Sequence, residues 1–136
     1  MILFPLALAA AAQAPTKPAA LPADPREARH DRCVATAERD PAAGRAEASR
    51  WQLAGGGYFA QQCLGLAYAT EGKWPAAAAA FEQAARAAET GRDARAANYW
   101  AQAGNAYLAG GDATHARAAL DAALDSGQLT GFALGE

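Results

Sequence analysis

QQCLGLAYATEGKWPAAAAAFEQA, residues 61–84, is the stretch that decides the fold. It holds two half-patterns, Leu64-Gly65-x-x-Tyr68 and then Ala77-x-x-x-Phe81-x-x-Ala84. A shift of 39 residues refills the slots with Ala103-Gly104-x-x-Tyr107 and Ala116-x-x-x-Leu120-x-x-Ala123, and carries Gly72 onto Gly111. Leu64 and Tyr68 stand one helical turn apart and share a face. Ala77, Phe81 and Ala84 do the same in the second half-pattern. A glycine inside a helix costs about 1 kcal/mol, so Gly65 and Gly104 ask for a packing reason: without a Cβ, a second helix can approach closely. Small-large-small spacing lets that helix nest. Each pair of half-patterns therefore predicts an antiparallel helical hairpin that cannot bury its apolar face alone. Self-similarity at a fixed period predicts that such hairpins stack.

The pattern resembles the tetratricopeptide repeat, W-x2-L-G-x2-Y followed by A-x3-F-x2-A. The Trp slot is Gln61 in the first copy and Trp100 in the second. The resemblance covers about residues 58–126 and implies an all-α fold, a right-handed stack of antiparallel helical hairpins (an α-solenoid). It makes Leu64, Gly65, Tyr68, Ala77, Phe81, Ala84, Trp100, Gly104, Tyr107, Ala116, Leu120 and Ala123 the repeat-packing residues. Three departures stand out. The period is 39 residues against the family's usual length of about 34, with the surplus around residues 86–95. The family's Pro past the second helix is missing from both copies, and Leu120 replaces the aromatic. The resemblance also implies a concave groove along the first helix of each hairpin. The slots there hold Phe59, Gln62, Leu66 and Ala69, then Asn98, Ala101, Asn105 and Leu108. Phe59, Gln62, Leu66, Asn98, Asn105 and Leu108 are thus the candidate peptide-groove residues, mixing apolar anchors with amides that bond a peptide backbone. A plain solvated face is the alternative. The basic residues of carboxylate-clamp repeats are absent from these slots.

Composition agrees with helix. Alanine fills 43 of 136 positions and there is one Ile, too few β-branched residues for a sheet protein. A formal net charge of -2 with no long basic run argues against nucleic acid or an anionic membrane as partner. The length suits one domain with a modest core.

Taken in order, residues 1–14 read as a signal peptide cleaved after residue 12 or 14. The apolar run 2–12 is too short to span a bilayer, and Ala10-x-Ala12 and Ala12-x-Ala14 fit small-x-small cleavage sites. The n-region carries no Lys or Arg; a frayed first helix or a mis-assigned start are the alternatives. Residues 15–23 form a Pro-rich spacer. Asp24 and Pro25 then open a helix, with Glu27 in a capping-box arrangement. Asp40-Pro41 ends it and starts the next, which makes 24–54 a divergent first hairpin. Gly55-Gly56-Gly57 is a C-cap and sharp turn, since a phosphate loop would need a preceding strand and a following Lys-Ser/Thr. Helices follow at about 58–71, 75–89, 93–109 and 113–125, punctuated by Gly72, Gly91, Gly110-Gly111 and Gly127, with Asp112 as the last N-cap. The two recognisable repeats are 58–90 and 93–127. Residues 128–136 either begin a further repeat or fold back as a short cap, since solenoids close with a polar-faced cap.

Candidates for chemistry are few. His30 and His115 fall in different hairpins, each near an expected exposed helix start. No HExxH, GxSxG, CxxC or phosphate loop occurs. No ligand set for a metal is visible, and no cofactor is expected. The two cysteines, Cys33 and Cys63, lie on helices of neighbouring hairpins that must pack, and export would supply an oxidising compartment. They are a disulfide candidate, with two buried thiols as the alternative. The expected function is a non-catalytic module for binding a protein or peptide, exported to a bacterial periplasm or secreted, or cytoplasmic if the signal peptide is misread. The alternative is a structural or accessory repeat segment of a larger protein, with self-association through an uncapped C-terminal end. No nucleic acid and no membrane span are expected.

Overall fold

The computed structural model describes residues 14–15 and 24–134, with side chains as far as 127. The signal-peptide reading and most of the Pro-rich spacer lie outside these residues. The described residues form helices α1 Pro25–Arg39, α2 Pro41–Leu53, α3 Gly57–Thr70, α4 Trp74–Thr90, α5 Arg95–Ala109 and α6 Ala113–Leu134, with no strand among them. None of these helices is long and apolar enough to cross a membrane.

Local chemistry sets the helix ends. The Asp24 carboxylate accepts the Arg26 N–H at 2.8 Å and that of Asp40 accepts the Ala43 N–H at 3.1 Å, each followed by Pro at the first helical position. This is the N-cap plus proline arrangement. Glu27 does not close a capping box. Its carboxylate reaches the Arg95 guanidinium on α5 at 2.6 Å, where a charged partner outbids a backbone N–H. Gly55, Gly72 and Gly111 terminate α2, α3 and α5 at φ of +87°, +70° and +79°. In each case the next residue's N–H returns to a carbonyl five residues back (Gly56 to Trp51, Lys73 to Tyr68, Asp112 to Tyr107), the left-handed stop that only glycine makes without strain.

The end of α4 departs from expectation. Gly91 stands one residue too early, at φ -81°, and Arg92 takes the left-handed position at φ +51° with Asp93 N–H bonded to Ala88 O. A side chain there is strained by about 1–2 kcal/mol. Replacing Arg92 by Gly is expected to stabilise the protein by about 0.5–1 kcal/mol, after the entropy cost of glycine in the unfolded chain. Urea unfolding of the two proteins checks it; equal or lower stability for the variant refutes it.

The C-terminus also departs. Helix α6 runs through Gly127 to Leu134, so residue 128 starts neither a new hairpin nor a folded-back cap. A lone glycine costs only about 1 kcal/mol in a helix, and no Pro follows it to enforce a stop.

Each helix packs on its successor, and α1 packs also on α3. One core lies among α1, α2 and α3: Cys33, Ala37, Ala48, Trp51, Phe59, Ala60, Cys63 and Ala67. A second lies among α4, α5 and α6, around Phe81, Tyr99, Trp100 and buried alanines, with Leu66 of α3 packed on it. The glycine slots fill as their spacing requires. A Cβ on Gly65 would lie 2.6 Å from the Phe81 ring, and one on Gly104 would lie 2.7 Å from the Leu120 side chain. The first hairpin makes the same approach with the partners exchanged, Gly44 on α2 against Ala37 on α1, where a Cβ would meet Ala37 Cα at 2.5 Å. Cys33 and Cys63 are both fully buried and joined by a disulfide that ties α1 to α3.

Candidate functional site

Helices α3, α4 and α5 leave a cleft of about 320 Å³ between them. Leu66 and Ala69 form the α3 wall, Trp74 and Phe81 rise from α4, and Gln102, Asn105, Ala106 and Ala109 form the α5 wall. The α5 set recurs at the three- and four-residue steps of one helix face. The floor is apolar because Phe81 must fill the space over Gly65. Trp74 is held where α5 ends, with its Cβ 3.1 Å from where a Cβ on Gly110 would stand. Two amides, Gln102 and Asn105, supply the polar groups. An apolar cavity with few convergent polar groups is the usual form of a ligand site.

Behind the α5 wall runs a chain of polar side chains crossing α1, α3 and α5. His30 Nε2 is hydrogen-bonded to Gln62 Oε1, and Gln62 Nε2 donates to Gln102 Oε1 at 3.2 Å. Gln62 is buried, at 6% exposure, where an unmade hydrogen bond would be costly, and this chain satisfies both ends of its amide.

Beside the chain, the Phe59 ring is enclosed. The Arg26 and Arg95 guanidiniums stand 5.5 and 5.1 Å from its centroid, within cation–π range. The His30 and Tyr58 rings lie at 5.4 and 4.8 Å. Arg95 also pairs with Asp93 at 2.9 Å, and Tyr58 donates its hydroxyl to Asp93 at 3.0 Å. Burial pushes the Asp93 carboxyl up, but the Arg95 backbone N–H, the Tyr58 hydroxyl and the Arg95 charge outweigh it and hold the group below the usual carboxylate range. On α2, Arg45 reaches Glu71, which also pairs with Lys73; the Lys73 and Arg45 contacts lower the Glu71 carboxyl despite some desolvation.

The structure sorts the six candidate groove residues. Leu66 and Asn105 line the cleft. Gln62 lies beneath it in the polar chain. Phe59 does not face a groove: at 3% exposure it is core, because α1 and the two guanidiniums cover it. Asn98 and Leu108 are exposed and outside the cleft lining, Leu108 at 54%. His30 is likewise no exposed histidine; its side chain is 20% exposed and hydrogen-bonded to Gln62. His115 is exposed and pairs with the N-cap Asp112 at 2.7 Å. Among the packing residues, Ala77, Phe81, Ala84, Trp100 and Ala116 are buried. Leu64, Tyr68, Tyr107, Leu120 and Ala123 are partly open, Leu64 and Tyr68 onto a second cleft of about 270 Å³. Among the described residues, no group of three or more His, Cys, Asp or Glu is placed to hold a metal ion.

Sequence reasoning missed Trp74 and Gln102. A signal for Gln102 was present, since it is Cys63 shifted by 39 residues. Cys63 faces α1 through the disulfide, and Gln102 faces α3 through Gln62. The slot is the one each odd-numbered helix turns toward its predecessor. Comparison with models of known protein families, with curated proteins and with solved structures finds no match to this chain.

Proposed function

We propose that this chain is a tetratricopeptide-like, right-handed stack of helical hairpins. In this reading it serves as a non-catalytic module that binds an extended peptide segment in the cleft between α3 and α5. The cleft carries the reading: about 320 Å³ of apolar space over Leu66, Trp74 and Phe81, with the Gln102 and Asn105 amides at its α5 wall. A peptide docked there buries a side chain on the floor and bonds its backbone to the amides. The 39-residue recurrence of the Gly–large contact, Gly65 on Phe81 and Gly104 on Leu120, supports the repeat architecture. The disulfide supports export to an oxidising compartment, since cytosolic thiols are kept reduced.

Ala109 tests the site. It is exposed and lines the cleft, so Ala109→Trp plugs the space without removing core. Peptides selected from a displayed random library against the oxidised protein are expected to bind the variant at least about tenfold more weakly. Thermal stability should move by no more than about 0.5 kcal/mol, as for a surface change. Selected peptides that bind both proteins equally would place the site elsewhere.

Self-association as an accessory segment is the second reading. Ala78, Ala85 and Ala88 of α4 are buried, yet their counterparts 39 residues on, Arg117, Leu124 and Gly127, are exposed on α6, Leu124 at 64%. Sedimentation that rises with concentration distinguishes it from the first.

A further inference from the structure

The polar chain behind the cleft has a direction. Gln62 turns Oε1 to His30 and Nε2 to Gln102. A carbonyl oxygen only accepts, so this orientation of the Gln62 amide requires the proton on His30 Nε2. Gln102 then spends its Oε1 on Gln62 and leaves its NH2 for the cleft that it lines. The chain could run the other way. With the His30 proton on Nδ1, Nε2 would accept from the Gln62 NH2, Gln62 Oε1 would accept from Gln102, and the cleft would meet a carbonyl oxygen. One proton position on α1 therefore decides whether Gln102 offers the cleft a donor or an acceptor. His30 Nδ1 does have a carboxylate nearby, Asp31 Oδ1 at 3.6 Å, but the Asp31 side chain is 83% exposed and so exerts a screened, weak pull.

We propose that His30 is a specificity-determining residue of the cleft. Through Gln62 it holds the Gln102 amide with N–H outward, and the cleft selects an aliphatic side chain with a hydrogen-bond acceptor beside it, as a peptide carbonyl provides. This rests on the cleft being a binding site. His30 touches no ligand; it is a positioning residue acting through two amides.

The test uses the full, oxidised chain and 4-methylpentan-2-one, an isobutyl group carrying an acceptor and no donor. In the wild-type protein the ketone is expected to shift the Leu66 and Ala69 methyl resonances and the Gln102 side-chain NH2 with one midpoint. Alkaline nitrogen-15 spectra should show the neutral His30 ring protonated on Nε2. His30→Glu puts an acceptor-only group at the head of the chain and reverses it, which should weaken the ketone about fivefold, the worth of one hydrogen bond. In a Gln62→Leu background the chain is cut, and His30→Glu should then change nothing further. An unchanged ketone affinity in His30→Glu, with the methyls still responding, overturns the proposal. So does a neutral His30 protonated on Nδ1, a reading on the wild-type protein that stands even if a variant fails to fold. If the wild-type methyls do not respond at all, the cleft reading itself falls and the selectivity with it, while the nitrogen spectra still report the direction of the chain.

Discussion

Replacing Cys33 and Cys63 by alanine is expected to lower stability by roughly 3–4 kcal/mol, the loop-closure entropy of a bridge spanning this many residues. The sequence separation is 30. The loss should be near the full amount because so little else holds α1 and α2. Apart from Trp51 and Phe59, every buried apolar residue in their core is Cys or Ala, and small side chains bury little area. The loss should also be local. Amide exchange in the variant should rise first in α1 and α2, while α4, α5 and α6, with Phe81, Tyr99 and Trp100 between them, keep their protection. Urea unfolding of the oxidised wild type against the variant measures the first effect. A difference under about 1 kcal/mol would show that packing, not the bridge, holds the first hairpin.

The all-α fold was legible because its determinants are short-range. Asp24-Pro25 and Asp40-Pro41 write two helix starts, and Gly55, Gly72 and Gly111 write three stops. Where the local signal is ambiguous, sequence pattern and structure part. Gly91 lies one residue from the left-handed position that Arg92 occupies. Gly127 carried the same letter as the true stops but lacks their surroundings, and α6 passes through it.

The site was legible only in part, and for a different reason. A shift of 39 residues equates positions in sequence but not their neighbours in space. Phe59 and Asn98 share a slot, yet Phe59 has His30, Arg26 and Arg95 around its ring and Asn98 is exposed. His30 and Arg26 come from α1, whose hairpin carries no repeat signature, and Arg95 comes from the start of α5, so nothing in the pattern announces them. The Gln62 slot reads as a groove amide for the same reason: its partners, His30 and Gln102, are 32 and 40 residues away.

Gly65→Ala should destabilise the protein by about 1 kcal/mol net, although alanine is the better helix former by about 1 kcal/mol. The added Cβ would stand 2.6 Å from two atoms of the Phe81 ring. The ring has little room to shift within the helix interface: Phe81 is 3% exposed, with Ala77 and Ala84 on its own helix fully buried. Overpacking of this kind costs about 1–3 kcal/mol, which exceeds the propensity gain. Gly127→Ala is the control within the same molecule. There the nearest atom to a new Cβ is Ala97 Cβ at 3.9 Å, an ordinary contact, so only the propensity gain remains and stability should rise. The contact hypothesis is tested by removing the ring. Phe81→Ala alone should cost about 3–5 kcal/mol, but in that background Gly65→Ala meets no ring, and its effect should turn from unfavourable to neutral or favourable. The coupling in this double-mutant cycle should therefore be at least about 1 kcal/mol, read from urea unfolding of the four proteins. Additive effects would mean that Gly65 is not held small by Phe81, and the close approach that defines the hairpin would need another cause.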